Sequence, residues 1–213
     1  MSPRTPEQFK DLRHEKKTLI MNVALEHFAN DGYHNSSISR IAKQAGISKG
    51  LMYNYFSGKE DLLAEIVNRS MEKFSQHFSP GSSSFLSEDD FELFVRKYFL
   101  ILREGLSFWR LYFQLVMQKD VREHLLKPYQ SPVNSVASIF ENGSNTILAF
   151  VSKMLTDYFI RKKAGKPEGY DPVLEMNMFI YTIEGFARNT TYLDEIDENY
   201  YDKTVNRIIE LYK

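Results

Sequence analysis

Residues 38–56 read ISRIAKQAGISKGLMYNYF, and the place where this stretch breaks decides the fold. Ile38, Ile41, Ala42 and Ala45 recur at helical spacing, and Leu51, Met52, Tyr55 and Phe56 do so again beyond the break. Gly46 stands where the first helix must stop and turn, because glycine enters the left-handed region without a Cβ penalty. Ser48, two residues on, suits the N-cap of the second helix. Helix, glycine turn and short helix is the pattern of a helix-turn-helix, whose second helix enters the major groove of DNA.

The flanks carry the same period. Leu19, Ile20, Val23, Ala24, His27 and Phe28 form one side of a helix expected over about 16–30, ended by Asn30-Asp31-Gly32, with Tyr33 folding back on it. Residues 1–13, polar and holding two prolines, are expected to be a loose arm. Ser36 is expected to cap a helix beginning at Ser37, and the reading helix is expected over about 49–55. Ser57 and Glu60 have capping-box spacing for a fourth helix that carries Leu62, Leu63, Ile66, Val67 and Phe74 to about Phe78.

The sequence SPGSSS at 79–84 is a loop by composition. It divides the chain into a DNA-binding domain over 1–58, with the start of a linking helix at 59–78, and a larger domain over 79–213. In the latter, Ser87 precedes three acids that favour a helix start, and Gly105 ends that helix. Helices are expected from Ser107, from Asp120 to near Pro128, and over 132–164, with a loop at 165–169. Asp171-Pro172 opens the penultimate helix, with apolar positions Val173, Met176, Ile180, Ile183 and Ala187. The last runs from about Glu198 with Val205, Ile208, Ile209 and Tyr212 inward. No stretch alternates as a strand would. The predicted class is all-α, with about nine helices.

Composition bounds the function. Hydrophobic residues make up 43% and charged residues 26%, ordinary for a globular protein. Without cysteine there is no disulfide, thiolate catalysis or cysteine-ligated zinc, which fits a reducing cytoplasm. No apolar run approaches the ~20 residues that span a bilayer, and Met1 to Pro6 lacks the apolar core of a secretory signal. A cytoplasmic protein with no membrane partner is expected. Residues 1–60 carry nine Lys or Arg against six Asp or Glu, a net of +3, and the remainder eighteen against twenty-two, a net of −4. A basic front end suits a DNA-reading module. The five histidines form no metal-ligating pair, and no phosphate loop, nucleophile elbow or paired-carboxylate motif appears. Neither enzyme chemistry, cofactor nor metal is expected.

Residues 19–67 resemble the TetR family of bacterial transcriptional regulators. The resemblance rests on Ala24, Phe28, Gly32-Tyr33, Ser36-Ser37-Ile38, Ile41-Ala42, Ala45 to Gly50, Tyr53, Tyr55-Phe56, Lys59 and Leu62-Leu63. Beyond it, Gly169, Asp171-Pro172 and Gly185 agree only loosely. The resemblance implies a homodimer joined through the last two helices, about 172–213. It also implies a palindromic operator in double-stranded DNA and a pocket for a small-molecule effector in the C-terminal domain. Effector binding then shifts the fourth helix and releases the DNA, as in a repressor.

Given the motif, Lys49 reaches a guanine edge or a phosphate, and Gly50 admits a close backbone approach. Leu51 stands where this family often has threonine, so its contact is apolar, with a thymine methyl. Asn54 and Tyr55 project from the same helix, and Tyr53 and Lys59 match family positions that hold phosphates. Ser37 and Ser48 offer hydroxyls and amides at helix starts, and Arg40 and Lys43 lie on the exposed side of the second helix. Phe94, Tyr98, Trp109, Tyr112, Phe113, Met117, Met154 and Tyr158 are candidate pocket walls, or equally plain core. Asn177 and Glu184 interrupt an apolar run and are candidates for a polar ligand contact or, for Glu184, an inter-subunit ion pair. Two alternatives stay open on the residues alone: a helical interaction module without DNA binding, and an enzyme built from scattered residues.

Overall fold

The computed structural model describes residues 5–75, 86–126, 147–165 and 167–213. Among them are ten α-helices and no strand. In order they are α1 (Pro6–Asn30), α2 (Ile38–Gln44), α3 (Lys49–Met52), α4 (Lys59–Ser75), α5 (Glu88–Glu104), α6 (Leu106–Val116), α7 (Lys119–Leu126), α8 (Ile147–Lys162), α9 (Pro172–Thr191) and α10 (Glu198–Tyr212). A 3₁₀ turn at Lys163–Gly165 follows α8. The loop at 79–84 and the predicted helical residues 132–146 lie outside the described residues, as does the side chain of Phe74.

The chain divides into two compact units, residues 1–70 with 111–123, and 71–110 with 124–213. The divisions fall inside α4, α6 and α7. The grouping of 111–123 with the N-terminal helices had no signature in the sequence.

In the first unit, α1 starts at Pro6 rather than near Lys16, so residues 6–13 are helix and not a loose arm. Thr5 caps it, the Gln8 side chain returns the bond to the Thr5 amide, and Pro6 has its fixed φ where no amide donor is needed. The core begins only at Ile20 and continues through Val23, Ala24, Leu25 and Phe28; Leu19, expected inward, is exposed. α2 packs on α1, and α3 on α2. Ile41, Ala42, Ala45, Met52 and Phe56 are buried between them.

In the second unit, rings fill the interior. Phe91 stacks on Tyr158 with centroids 4.5 Å apart and planes 3° from parallel. Phe179 meets Phe91, Phe94, Phe159 and Tyr212. α8 and α10 both pack on α9, and α5 packs on α9 and α10. Ser87 and Asp90 form the capping box of α5, and Asp171 caps α9 by accepting from the Val173 and Leu174 amides. Val173, expected in the core, is exposed.

Candidate nucleic-acid interface

The turn between α2 and α3 is built as the glycine position requires. Gly46 has φ of 66°, in the left-handed region that L side chains avoid. The Ile47 amide then returns to the Ala42 carbonyl. Gly32, at φ of 90°, reverses the chain after α1 in the same way.

Each reading-side helix is capped by its own serine. Ser37 Oγ accepts from the Arg40 amide at 3.3 Å, and Ser48 Oγ accepts from the Leu51 amide at 3.1 Å. The cap of α2 is therefore Ser37, one residue beyond Ser36. Ser36 is buried instead, and its hydroxyl is shared between the His27 and Gly32 carbonyls. The α3 helix is one turn, Lys49–Met52, followed by turns through Tyr55, shorter than the 49–55 expected. Met52 and Phe56 anchor it from within. Lys49, Gly50, Leu51, Tyr53 and Asn54 are exposed and Tyr55 is partly so. On α2, Arg40 and Lys43 are exposed as well, with Arg40 held 3.1 Å from Asp31. The Asp31 carboxyl is pulled below its usual range, first by its bond to His27 and then by the Arg40 charge.

Lys59 has a definite structural task. Its ammonium donates to the carbonyls of Tyr33, His34 and Ser36 at 2.9, 3.1 and 3.3 Å, and lies 4.6 Å from the Tyr33 ring centroid. One point charge thus gathers three carbonyls of the turn that leads into α2. Burial raises the Tyr33 phenol to about 12, so it stays neutral. Ser57 bonds Asp61 through both amide and hydroxyl, at 2.7 and 3.1 Å, rather than pairing with Glu60.

Two residues that no motif had marked complete the frame. Gln118 accepts from the Tyr33 amide at 2.7 Å and donates to the Phe28 carbonyl at 2.6 Å, so one carboxamide closes the α1 exit from both sides. Its partners lie 85 and 90 positions away, a separation no local pattern encodes. Arg13 donates to the Asn54 carbonyl at 3.0 Å, and its guanidinium sits 5.4 Å from the Tyr55 ring centroid.

The pocket candidates divide between the units. Phe94, Tyr98, Trp109, Met154, Tyr158, Asn177 and Glu184 belong to the second, whereas Tyr112, Phe113 and Met117 belong to the first. Phe94, Trp109 and Tyr158 are buried, Tyr98 and Met154 partly so, and Met117 is exposed. Trp109 donates its indole N–H to the Ile101 carbonyl at 3.1 Å. Asn177 Oδ1 is buried without a hydrogen-bond partner. Glu184 keeps more than a third of its surface open, yet crowding around its carboxyl outweighs the pull of Arg188 and raises its pKa. Among the described residues no group of three His, Cys, Asp or Glu is placed to hold a metal. Among them, too, no helix is long and apolar enough to cross a membrane.

Residues 20–66 match the family model described as "Bacterial regulatory proteins, tetR family". The fatty acid metabolism regulator protein of Bacillus subtilis is 34% identical over 84 residues, which is 39% of this chain and 43% of that protein. The aligned part therefore spans less than half of that relative. Among solved structures, the fatty acid degradation regulator FadR of Bacillus halodurans superposes with a TM-score of 0.61 at 22% identity, covering 99% of this chain and 96% of that one. FadR of Bacillus subtilis, solved in complex with stearoyl-CoA, gives 0.60 at 24% identity over 92% of this chain and 96% of that one. At such identities the structural likeness speaks for the fold.

Proposed function

From the premise that this chain belongs to the tetR family of DNA-binding transcriptional regulators through residues 20–66, we propose that it works as a homodimeric, effector-released repressor in the cytoplasm. The observation that carries DNA reading is the split of α3. Met52 and Phe56 lock it from within, while Lys49, Gly50, Leu51, Tyr53 and Asn54 stand exposed beside two serine-capped helix starts. Ser37 and Ser48, with Arg40, Lys43 and Tyr53, hold phosphates, and Lys49, Leu51 and Asn54 meet base edges. Tyr55 stacks beneath Arg13, and Lys59 acts by fixing the turn that presents Ser37.

The dimer is supported by α9. Leu174, Met178 and Tyr181 form an exposed row on it, 48% to 57% open, and the exposed Tyr192 that caps the helix continues the row. Gly185 interrupts the row, and a Cβ there would meet nothing within 4 Å. A contiguous apolar face with a small residue at its centre fits a second helix laid close against it. Two copies joined there present two α3 helices, and a palindromic operator matches that symmetry when half-sites lie ~34–36 Å apart.

The effector seats in the second unit among Phe94, Tyr98, Trp109, Met154 and Tyr158, with Asn177 as a polar anchor whose Oδ1 lacks a partner. An apolar effector suits these walls. A long-chain acyl thioester is the compound to try first, because the Bacillus subtilis structure holds stearoyl-CoA.

A mobility-shift assay on duplex selected from a random pool tests the reading. The parent protein is expected to bind a palindrome, Lys49→Ala with Tyr53→Ala to lose it, and stearoyl-CoA to release it. Equal binding by the double variant would remove α3 from the interface. Failure of the parent to select any duplex would favour the interaction-module alternative.

A further inference from the structure

The expectation of a loose N-terminal arm hid a second surface. Because α1 begins at Pro6 while its first buried residue is Ile20, about fourteen residues, or ~20 Å of helix at ~1.5 Å per residue, stand outside the core. Charges on this stretch are sorted by side. At ~100° per residue, Lys10, Arg13, Lys16 and Lys17 fall within an arc of about 120°, Asp11 and Glu15 lie on the far side, and Glu7 stands at the boundary, about 60° from Lys10.

The basic side is the one turned toward α3. Arg13, at its centre, is bonded to the Asn54 carbonyl and lies over Tyr55, so its position relative to the reading helix is fixed. Lys17, one turn on, is held 2.9 Å from Glu65, with its ammonium 5.6 Å from the Phe56 ring centroid. These two cations are occupied in orienting the helix. Lys10 and Lys16 flank them on the same side, with Lys10 fully at the surface and Lys16 partly so.

We infer that this basic side of α1 is a second DNA-contacting surface, in which Lys10 and Lys16 hold backbone phosphates flanking the groove entered by α3. The inference rests on the DNA-binding reading above and adds to it a contact that carries no sequence information. Lysines on phosphates release counterions, so they contribute affinity that falls with salt, about one unit of the logarithmic salt slope for each. Glu65 on this side is already paired with Lys17, and Asp11 and Glu15 lie on the far side, so the near side is predominantly positive toward phosphates. Arg13 then has a positioning role, aligning the row with α3.

The experiment measures affinity against salt for the full chain on duplex selected by the parent protein. Lys10→Ala with Lys16→Ala is expected to lower affinity about tenfold and to flatten the salt slope by about two for each bound protomer. Alanine keeps α1 helical, and circular dichroism checks that it does. Hydroxyl-radical footprints of this variant are expected to lose protection at the outer edges of the site while the centre persists. Asp11→Ala with Glu15→Ala is the control from the other side and is expected to leave the slope unchanged or bind more tightly. An unchanged slope in the lysine variant, or an equal loss in the acid variant, overturns the inference while leaving DNA binding intact. Failure of the parent to select a duplex overturns both.

Discussion

The turns of the first unit are held by side chains that end on backbone carbonyls and amides, whereas the centre of the second is largely rings packed on rings, with bonds such as Trp109 to the Ile101 carbonyl beside them. Lys59 gathers three carbonyls, Ser36 two, and Gln118 one carbonyl and one amide. Phe91, Phe159, Phe179, Tyr158 and Tyr212 instead meet face to face or edge to face across α5, α8, α9 and α10. Hydrogen bonds weaken steeply with angle and distance, so they fix a geometry. Ring packing is strong but permits several near-equal arrangements. In the function proposed above, the first unit has to hold α2 and α3 still against DNA and the second has to repack around a ligand. The contrast matches that division of labour.

The largest test of the contrast is Phe179→Ala, which empties the centre of the second unit and is expected to cost about 3–5 kcal/mol in urea denaturation. Phe179→Leu should lose a smaller part of that, because neighbouring rings can close on it. Lys59→Met is expected to cost about 2–3 kcal/mol by leaving three carbonyls of the turn poorly satisfied. Lys59→Arg should rescue it badly, because a planar guanidinium cannot direct three donors from one point. Hydrogen exchange over residues 33–37 would read this directly, and full rescue by arginine would break the comparison. Gln118→Leu, which orphans the Tyr33 amide and the Phe28 carbonyl, is expected to cost about 1–3 kcal/mol.

Acid should weaken both units for the same physical reason. Asp31, Asp90 and Glu92 all titrate below their ordinary 3.8, 3.8 and 4.5, held down first by bonds to His27, Ser87 and Lys213 respectively. A carboxyl with a depressed folded pKa stabilises the fold above its unfolded value, and that contribution is lost as pH falls through the folded one. The melting temperature should therefore be level at neutral pH and decline below about pH 4. Asp31→Asn should shrink the first unit's share of that decline, and Glu92→Gln the second's. The smallest effect is expected from Glu184→Gln. Its folded pKa is raised, so its charge weakens the fold above that value; removing the charge should raise the melting temperature slightly at neutral pH.

The helix-turn-helix was legible because its constraints are local. Gly46, Ser48 and the apolar positions of 38–56 each act within one or two turns, and the φ of Gly46 and the bond from Ser48 follow from them. The start of α1 was encoded too, in Thr5, Pro6 and Gln8, but over the next three turns charged residues outnumber the few apolar ones, and Phe9 and Leu12, though at helical spacing, are exposed and mark no core-facing side. Ser57 chose Asp61 over Glu60 because either acid lies within reach of a serine ahead of a helix. Gln118 and Arg13 were beyond reach for another reason. Their partners are set by how helices distant in sequence meet, and a lone polar side chain does not declare that. Aromatic residues were visible as a class in the second unit, yet composition does not say which ring touches which.

Trp109 is the only tryptophan in the chain and is 1% exposed, with its N–H on the Ile101 carbonyl. Gly105 makes room for it, since a Cβ at that position would come within 3.2 Å of the indole nitrogen. The protein thus carries a single tryptophan, which can be excited apart from its tyrosines, in the unit proposed to hold the effector. Its emission reports one known point, in an apolar setting with a fixed donor contact. Titrating candidate effectors against that signal needs neither operator nor label, and a shift in its colour or quenching would rank ligands before any target gene is known.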